Sequence, residues 1–486
     1  MLFSTGTFWL FFPVVLALLA ANRLVLRSVP GQNAILLAAS YVFYGWWDWR
    51  FLGLIIASTL IDYIAAMGME RAGDSPARRR WLHLSILANL SILGFFKYFG
   101  FFSEELRTAL TAAQVNADWG TLDIVLPVGI SFYTLQTLSY SIDVYKRRAP
   151  AERNLLRYAV YVAFFPQLVA GPIERAKALI PQFARLAPFD WEATYTGVRL
   201  VIAGLFLKVV VADNLAPYVD TIWANAGTLD GGALLLGMLY FAIQIYADFA
   251  GYSSIAIGLA AIMGFRLSTN FATPFLASSI SSLWRGWNIT LTMFFRDYLY
   301  AELRPQAKGA PRSEARIAFA TIATFFVSGL WHGANWTFIA WGTIHGVLLA
   351  GERQWRRFTN LPDTRAVKLA GWAYAFGTFF LLAPFFRSPD IGHAVAMYAR
   401  SVTEFGLPET QRFGLVFVAL SFAVDFLWRG RTRLDQGLRL AAFGRAVSTG
   451  RGREITETVL FASALILVLV NAATRPEPNA FIYFQF

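Results

Sequence analysis

The sequence predicts an all-α polytopic membrane protein with broken and interfacial helices. Three observations predict it. Of 486 residues, 57% are apolar and only 15% charged, whereas an ordinary soluble chain carries about 25% charged residues. Mean hydropathy is +0.49. Apolar runs near the about 20 residues that a helix needs to cross a bilayer recur along the whole chain. A chain this apolar cannot cover its surface in water and needs lipid as its solvent. A soluble enzyme, a disordered scaffold and a nucleic-acid-binding module are excluded.

Taken in order, clear spans are expected at 7–26, 81–99, 122–141, 232–262, 315–331, 335–351, 369–386, 414–428 and 455–473. Shorter or broken ones lie at 33–46, 51–69, 156–170 and 198–212. Together they make about eleven to thirteen crossings or half-crossings. The first run has no basic segment before it and no small-residue cleavage site, so it reads as a retained span. No internal repeat is visible and the longest polar stretches are only loops. Residues 1–486 therefore read as a single integral membrane domain.

Charge supplies the topology. The net charge of +12 is concentrated in the loops 70–80, 146–157, 304–316, 352–357 and 429–454, which the positive-inside rule places in the cytoplasm, against anionic headgroups. The alternate loops agree: 102–120 leans acidic, and 214–231 contains no Lys or Arg. The closing FIYFQF then falls outside the cytoplasm. The bilayer is the expected partner; nucleic acid is not. With no cysteine, disulfides, thiolate metal sites and a cysteine nucleophile are excluded.

Two segments carry helix breakers: LPVGISFY with Pro127 and Gly129, and FFPQLVAGPIERA with Pro166, Gly171 and Pro172. Non-helical backbone at membrane depth requires surrounding protein or a water-filled cavity, so these segments are expected to line or buttress a cavity; a kink in a packed helix is the alternative.

Four histidines occur: His83, His332, His345 and His393. His83 adjoins a basic loop and His393 lies in an expected external loop. His332 and His345 lie in the apolar, aromatic stretch FFVSGLWHGANWTFIAWGTIHGVLLA. A helix climbing from residue 316 at 1.5 Å per residue puts His332 up to ~24 Å from the cytoplasmic face, at a hairpin turn in the outer half of the membrane. Gly329, Gly333 and Ala334 permit close backbone approach there, and Trp331 and Trp336 supply walls. A neutral imidazole in this place can serve as a general base; a histidine that hydrogen-bonds a neighbouring helix is the alternative.

Residues 281–300, SSLWRGWNITLTMFFRDYLY, read as one amphipathic helix. Ser281, Arg285, Asn288, Thr292 and Arg296 recur every three or four residues and share a face. The stripe suits a wall of a polar cavity or a helix lying at the cytoplasmic interface. Lys208 and Asp248 are costly in lipid unless paired or hydrated. They can pair with each other or with Arg285 or Asp297.

Several of these segments resemble a known family. SGLWHGANWTFIAWGTIHG looks like the signature of the membrane-bound O-acyltransferases, and WRGWNITLTMFFRDYLY resembles their other landmark. LPVGISFYTLQTLSYSIDVYK, FFPQLVAGPIERA, QIYADFAGYSSIAIGLA, the opening MLFSTGTFWLFFPV, SYVFYGWWDWRFL and FIYFQF are similar to the bacterial branch containing the alginate O-acetylation membrane protein. The resemblance implies a multi-helix ring around a membrane-crossing tunnel in the bacterial inner membrane. It implies a cytoplasmic thioester donor such as acetyl-CoA, no bound cofactor and no metal. The acceptor it implies is a hydroxyl on an exported, alginate-like polysaccharide or on a periplasmic acetyltransferase or esterase-like partner. The essential histidine falls on His332 and the second landmark, His in this branch and Asn or Asp in others, on Asn288. Trp284, Arg285, Arg296, Trp331 and Asp248 are the residues expected along the substrate path. Two positions depart from the pattern W-R-R-W-H-I-S-L-S and its following Gly-Gly pair: Asn288 stands where the branch has His, and Arg304 and Pro305 stand near the place of the glycines. Two other functions fit the residues alone. Intramembrane Lys208 and Asp248 with broken helices suit a transporter, and an acyl conduit could leave the final transfer to a partner.

Overall fold

The computed structural model describes residues 1–115, 122, 124–304, 313–404, 406, 408, 410–426, 451–474 and 479–482, with the backbone alone for 451–457. Most of the basic loops 304–316 and 429–454, Pro305, part of the 102–120 loop and residues 483–486 of FIYFQF lie outside the described residues. The described residues are helical or irregular, with no strand among them. Among the described residues six helices are long and apolar enough to cross a membrane: Gly6–Leu26, Val29–Arg71, Ala77–Ala112, Trp191–Ala224, Gly231–Ile262 and Arg365–Arg387. The protein is an all-α, multi-pass membrane protein. The expected spans 33–46 and 51–69 are one run, Val29–Arg71, turned by a single 3-10 segment at Trp49–Phe51. The Asp48 side chain accepts the Arg50 N–H at that turn, at 3.0 Å.

The chain divides into two compact units, Met1–Thr194 with Leu259–Ser268, and Tyr195–Gly258 with Thr269–Phe486. In the first unit the helices Leu52–Arg71, Ala77–Leu93 and Ile130–Tyr145 pack together around Asp62, which is fully buried. Its carboxylate accepts hydrogen bonds from the Ser85 hydroxyl, from Ser141 at 2.9 Å and from Asn89 at 2.9 Å. Ser58 in turn donates to Asn89 at 2.8 Å. Three donors satisfy the carboxylate where no water would reach it, the condition for keeping such a group in lipid.

The two broken segments differ from expectation in an informative way. The span expected over 122–141 becomes a helix only from Ile130, because Gly129 takes a left-handed φ of 78° and Pro127 offers no backbone N–H. A Cβ on Gly129 would stand 2.9 Å from the Leu168 carbonyl oxygen and 3.1 Å from the Val169 Cα. The second segment ends its first helix at Ala163 and restarts as the short helix Phe165–Leu168. The two breaks therefore buttress each other, and neither lines the cavity that holds His332.

Candidate active site

His332 is the last residue of the helix Glu314–His332 and lies in the second unit. Gly333 ends that helix in an extended conformation. Asn335 starts the next, Trp336–Phe358, by accepting the Thr337 N–H at 3.0 Å on its side chain. The Asn335 amide also donates to the Pro389 carbonyl at 2.7 Å, pinning the turn. The two helices pack closely because of glycine: a Cβ on Gly342 would lie 2.9 Å from the Gly329 Cα. At the other end of the hairpin Arg353 and Glu314 pair at 2.9 Å. His332 sits 18 residues beyond Glu314, about 27 Å of helix, and is only 5% exposed. Its ring meets Trp331, Trp341 and Phe386 at centroid distances of 4.9, 5.2 and 5.2 Å.

The second landmark is not the single helix expected over 281–300. Two seven-residue helices, Ile280–Gly286 and Ile289–Phe295, flank a break at Trp287 and Asn288. Gly286 favours a helix poorly, and an extended segment takes over the backbone groups that a continuous helix would use. The Ala272 N–H donates to the Gly286 carbonyl and the Ile289 N–H to the Asn270 carbonyl, both at 2.9 Å. The Asn270 side-chain oxygen also accepts the Thr290 hydroxyl at 2.9 Å. Asn288 is held at φ 39°, ψ 58°, in the left-handed region that among residues with a Cβ favours Asn, Asp and His. Those are the three residues that the family resemblance implies at this position, and the left-handed backbone is a physical reason for that restriction. Asn288 is 2% exposed, and neither its amide nitrogen nor its amide oxygen has a hydrogen-bond partner among the described residues.

The two landmarks meet at one cavity of ≈ 310 Å³. Thr321, Thr324, Phe325, Ser328 and His332 line it from one face of their helix, and Asn288, Leu291, Thr292, Phe295 and Arg296 from the facing segment. Arg296 is exposed while Asn288 and His332 are buried, so the cavity runs from a closed polar end to a charged rim. Arg296 is partly neutralised there by Asp297 at 2.7 Å. Trp284 and Trp287 also line the cavity, and the indole N–H of Trp284 is buried without a partner among the described residues.

Of the expected site residues, the catalytic candidates His332 and Asn288 and the substrate-path residues Trp284 and Arg296 come together here. The others lie elsewhere. Trp331 packs on the His332 ring without lining the cavity. The helix break turns Arg285 out of the polar stripe: it faces a neighbouring cleft of ≈ 1440 Å³ with Glu352 and Arg356, and donates to the Ser281 hydroxyl at 3.1 Å. Asp248 belongs to a buried ion cluster. Lys208 Nζ lies 2.8 Å from Asp213 and 2.9 Å from Asp248. The other oxygen of Asp248 accepts the Ile482 N–H at 2.6 Å. Lys208 and Asp248 pair with each other, as the sequence allowed; Asp213 is the partner that it did not name. His345 is sealed between the rings of Trp284 and Trp341, at 5.0 and 4.9 Å, and does not line the cavity. Sequence reasoning missed Thr321, Thr324 and Ser328, although their spacing of three and four residues ahead of His332 was a readable signal. It also missed the buried Asp62 and Asp425, each a lone carboxylate in an apolar run.

Residues 147–384 match the membrane-bound O-acyltransferase family. The chain is 40% identical over 403 residues to a probable alginate O-acetylase AlgI of Azotobacter vinelandii, covering 82% of this chain and 77% of that one. It is 36% identical to the protein of the same name from Pseudomonas putida, with both chains fully covered. It is also 33% identical over 387 residues to the peptidoglycan O-acetyltransferase of Helicobacter pylori, covering 74% of this chain and 72% of that one. These similarities favour an acyltransferase over a transporter. The chain belongs to the membrane-bound O-acyltransferase family, and its two landmark segments form the walls of one cavity.

Proposed function

We propose that this protein transfers an acetyl group from a cytoplasmic thioester, acetyl-CoA being the expected donor, to a hydroxyl of an exported polysaccharide, directly or through a periplasmic partner protein, in the bacterial cytoplasmic membrane. The names of its relatives support the acetyl group and the polysaccharide class. The single observation that carries the chemistry is the Asn288 amide, buried with neither polar atom partnered among the described residues, in the cavity that His332 lines. An unpaired buried amide costs about 1–3 kcal/mol, a cost that a bound reactant would offset.

In this reading His332 takes the proton of the acceptor hydroxyl as its oxygen attacks the thioester carbonyl carbon. The Asn288 amide N–H donates to the oxyanion of the tetrahedral intermediate. The C–S bond then breaks, the thiolate leaves with the proton held on His332, and an ester and a free thiol result. Arg296 at the rim is placed to meet an anionic portion of the donor. Asn cannot act as a base, so a single imidazole moves the proton in both directions.

The test is purified protein in vesicles supplied with radiolabelled acetyl-CoA and a polysaccharide acceptor. Label in ester linkage on the acceptor supports the proposal. Label found only on an added periplasmic partner assigns the final step to that partner, and no transfer from any thioester refutes the reading.

A further inference from the structure

A second, much smaller void lies beside His332. It measures ≈ 20 Å³ and is lined by Phe241, Ala242, Ile245, Trp287, His332, Trp341, Phe379, Ala383 and Phe386. Trp287 and His332 are the two side chains that line both this void and the larger cavity. Every other wall residue is aliphatic or aromatic, and the aromatic ones are firmly packed. The Phe379 ring lies 4.6 Å from Trp287, and Phe386 lies 5.0 Å from Trp341 and 5.2 Å from His332. Phe241 and Ala242 are each 1% exposed.

A void must offer roughly 10–15 Å³ on this measure to hold one water-sized group. This one clears that threshold by little, so it suits a single small group, and its lining suits a methyl better than a water, which needs two to four polar partners. We infer that the void is the acyl-length gauge of the transferase: it receives the methyl of an acetyl group whose carbonyl lies between His332 and Asn288, and its aromatic walls exclude longer acyl chains. The inference rests on the acyl-transfer reading above and adds to it the residues that set the acyl group. Trp287 stands at the threshold between the two spaces. Phe241, on Gly231–Ile262, and Phe379 and Phe386, both on Arg365–Arg387, close the far side. An added methylene can enter only by displacing these rings, and apolar pockets reject a misfitting methylene about 10–200-fold.

The experiment compares acetyl-, propionyl- and butyryl-CoA as donors for wild type, Phe379→Leu and Phe241→Leu in vesicles. Wild type is expected to prefer acetyl over butyryl by at least about tenfold. Each leucine variant, opening the void from a different helix, is expected to raise the butyryl-to-acetyl ratio by about tenfold. Ala242→Val fills the void from the other direction and is expected to lower acetyl transfer about tenfold, so the void is probed even if a leucine variant yields no folded protein. An unchanged ratio in folded, acetyl-transferring leucine variants, or full acetyl transfer by Ala242→Val, overturns the gauge and leaves the acetyltransferase standing. No transfer by wild type from any of the three donors overturns both.

Discussion

The second compact unit holds two groups of buried polar side chains built in opposite ways. Lys208, Asp213 and Asp248 answer one another: each charge has an opposite partner within 3 Å, and the spare carboxylate oxygen of Asp248 takes a backbone N–H. At the His332 cavity, the amide of Asn288 and the indole N–H of Trp284 are buried with no partner among the described residues, facing open space. Asp62 in the first unit follows the pattern of the ion cluster. Intramembrane polarity alone thus does not mark a reactive site. Closed hydrogen bonding marks a structural anchor, and unfilled hydrogen bonding beside a cavity marks a place for a reactant.

The sharpest way to break this comparison is His332→Ala. Loss of the general base is expected to reduce transfer about 10²–10⁴-fold, with membrane insertion and detergent-phase gel filtration unchanged. Full activity in vesicles would remove His332 from the chemistry. Next comes Lys208→Met, which strands two buried carboxylates. Breaking such a cluster costs about 3–5 kcal/mol, read as a lower Tm, while activity per folded molecule holds. Replacing all three with Met, Asn and Asn should recover most of that Tm, and a catalytic role would instead show as lost turnover in the folded triple variant.

Asn288→Gly separates side chain from backbone, since glycine keeps the left-handed conformation. Transfer is expected to fall about 10²–10³-fold, as for the loss of an oxyanion donor, with Tm unchanged or raised because an unsatisfied amide is gone. A variant with wild-type transfer would make Asn288 a backbone device only. Asn288→Leu confounds the two, because leucine at positive φ adds about 1–2 kcal/mol of strain. The smallest change expected is that of Asn288→His, which tolerates the same backbone and should retain or raise transfer; a large loss would show that the amide itself is required.

Much of the fold was legible in the chain. Long apolar runs recorded the membrane helices, since lipid leaves the backbone no partner outside its own helix. The hairpin at His332 was legible too: Gly333 and Asn335 are stop and start signals placed between two apolar runs. The 281–300 segment was misread because its periodicity is truly helical. The break at Trp287 and Asn288 depends on hydrogen bonds to the Asn270 carbonyl and from the Ala272 N–H, more than ten residues away, which no local pattern encodes. For the same reason Arg285 and Asp248 could not be sorted from Arg296 and Asn288 before their partners were known.

The amino-acid order by itself determined the solvent, the helices and the two landmark segments, because apolar length and turn chemistry are local properties. Only the tertiary structure decided which buried polar groups are answered and which are left open, because a hydrogen bond is satisfied by whatever the fold brings within about 3 Å, however distant in the chain.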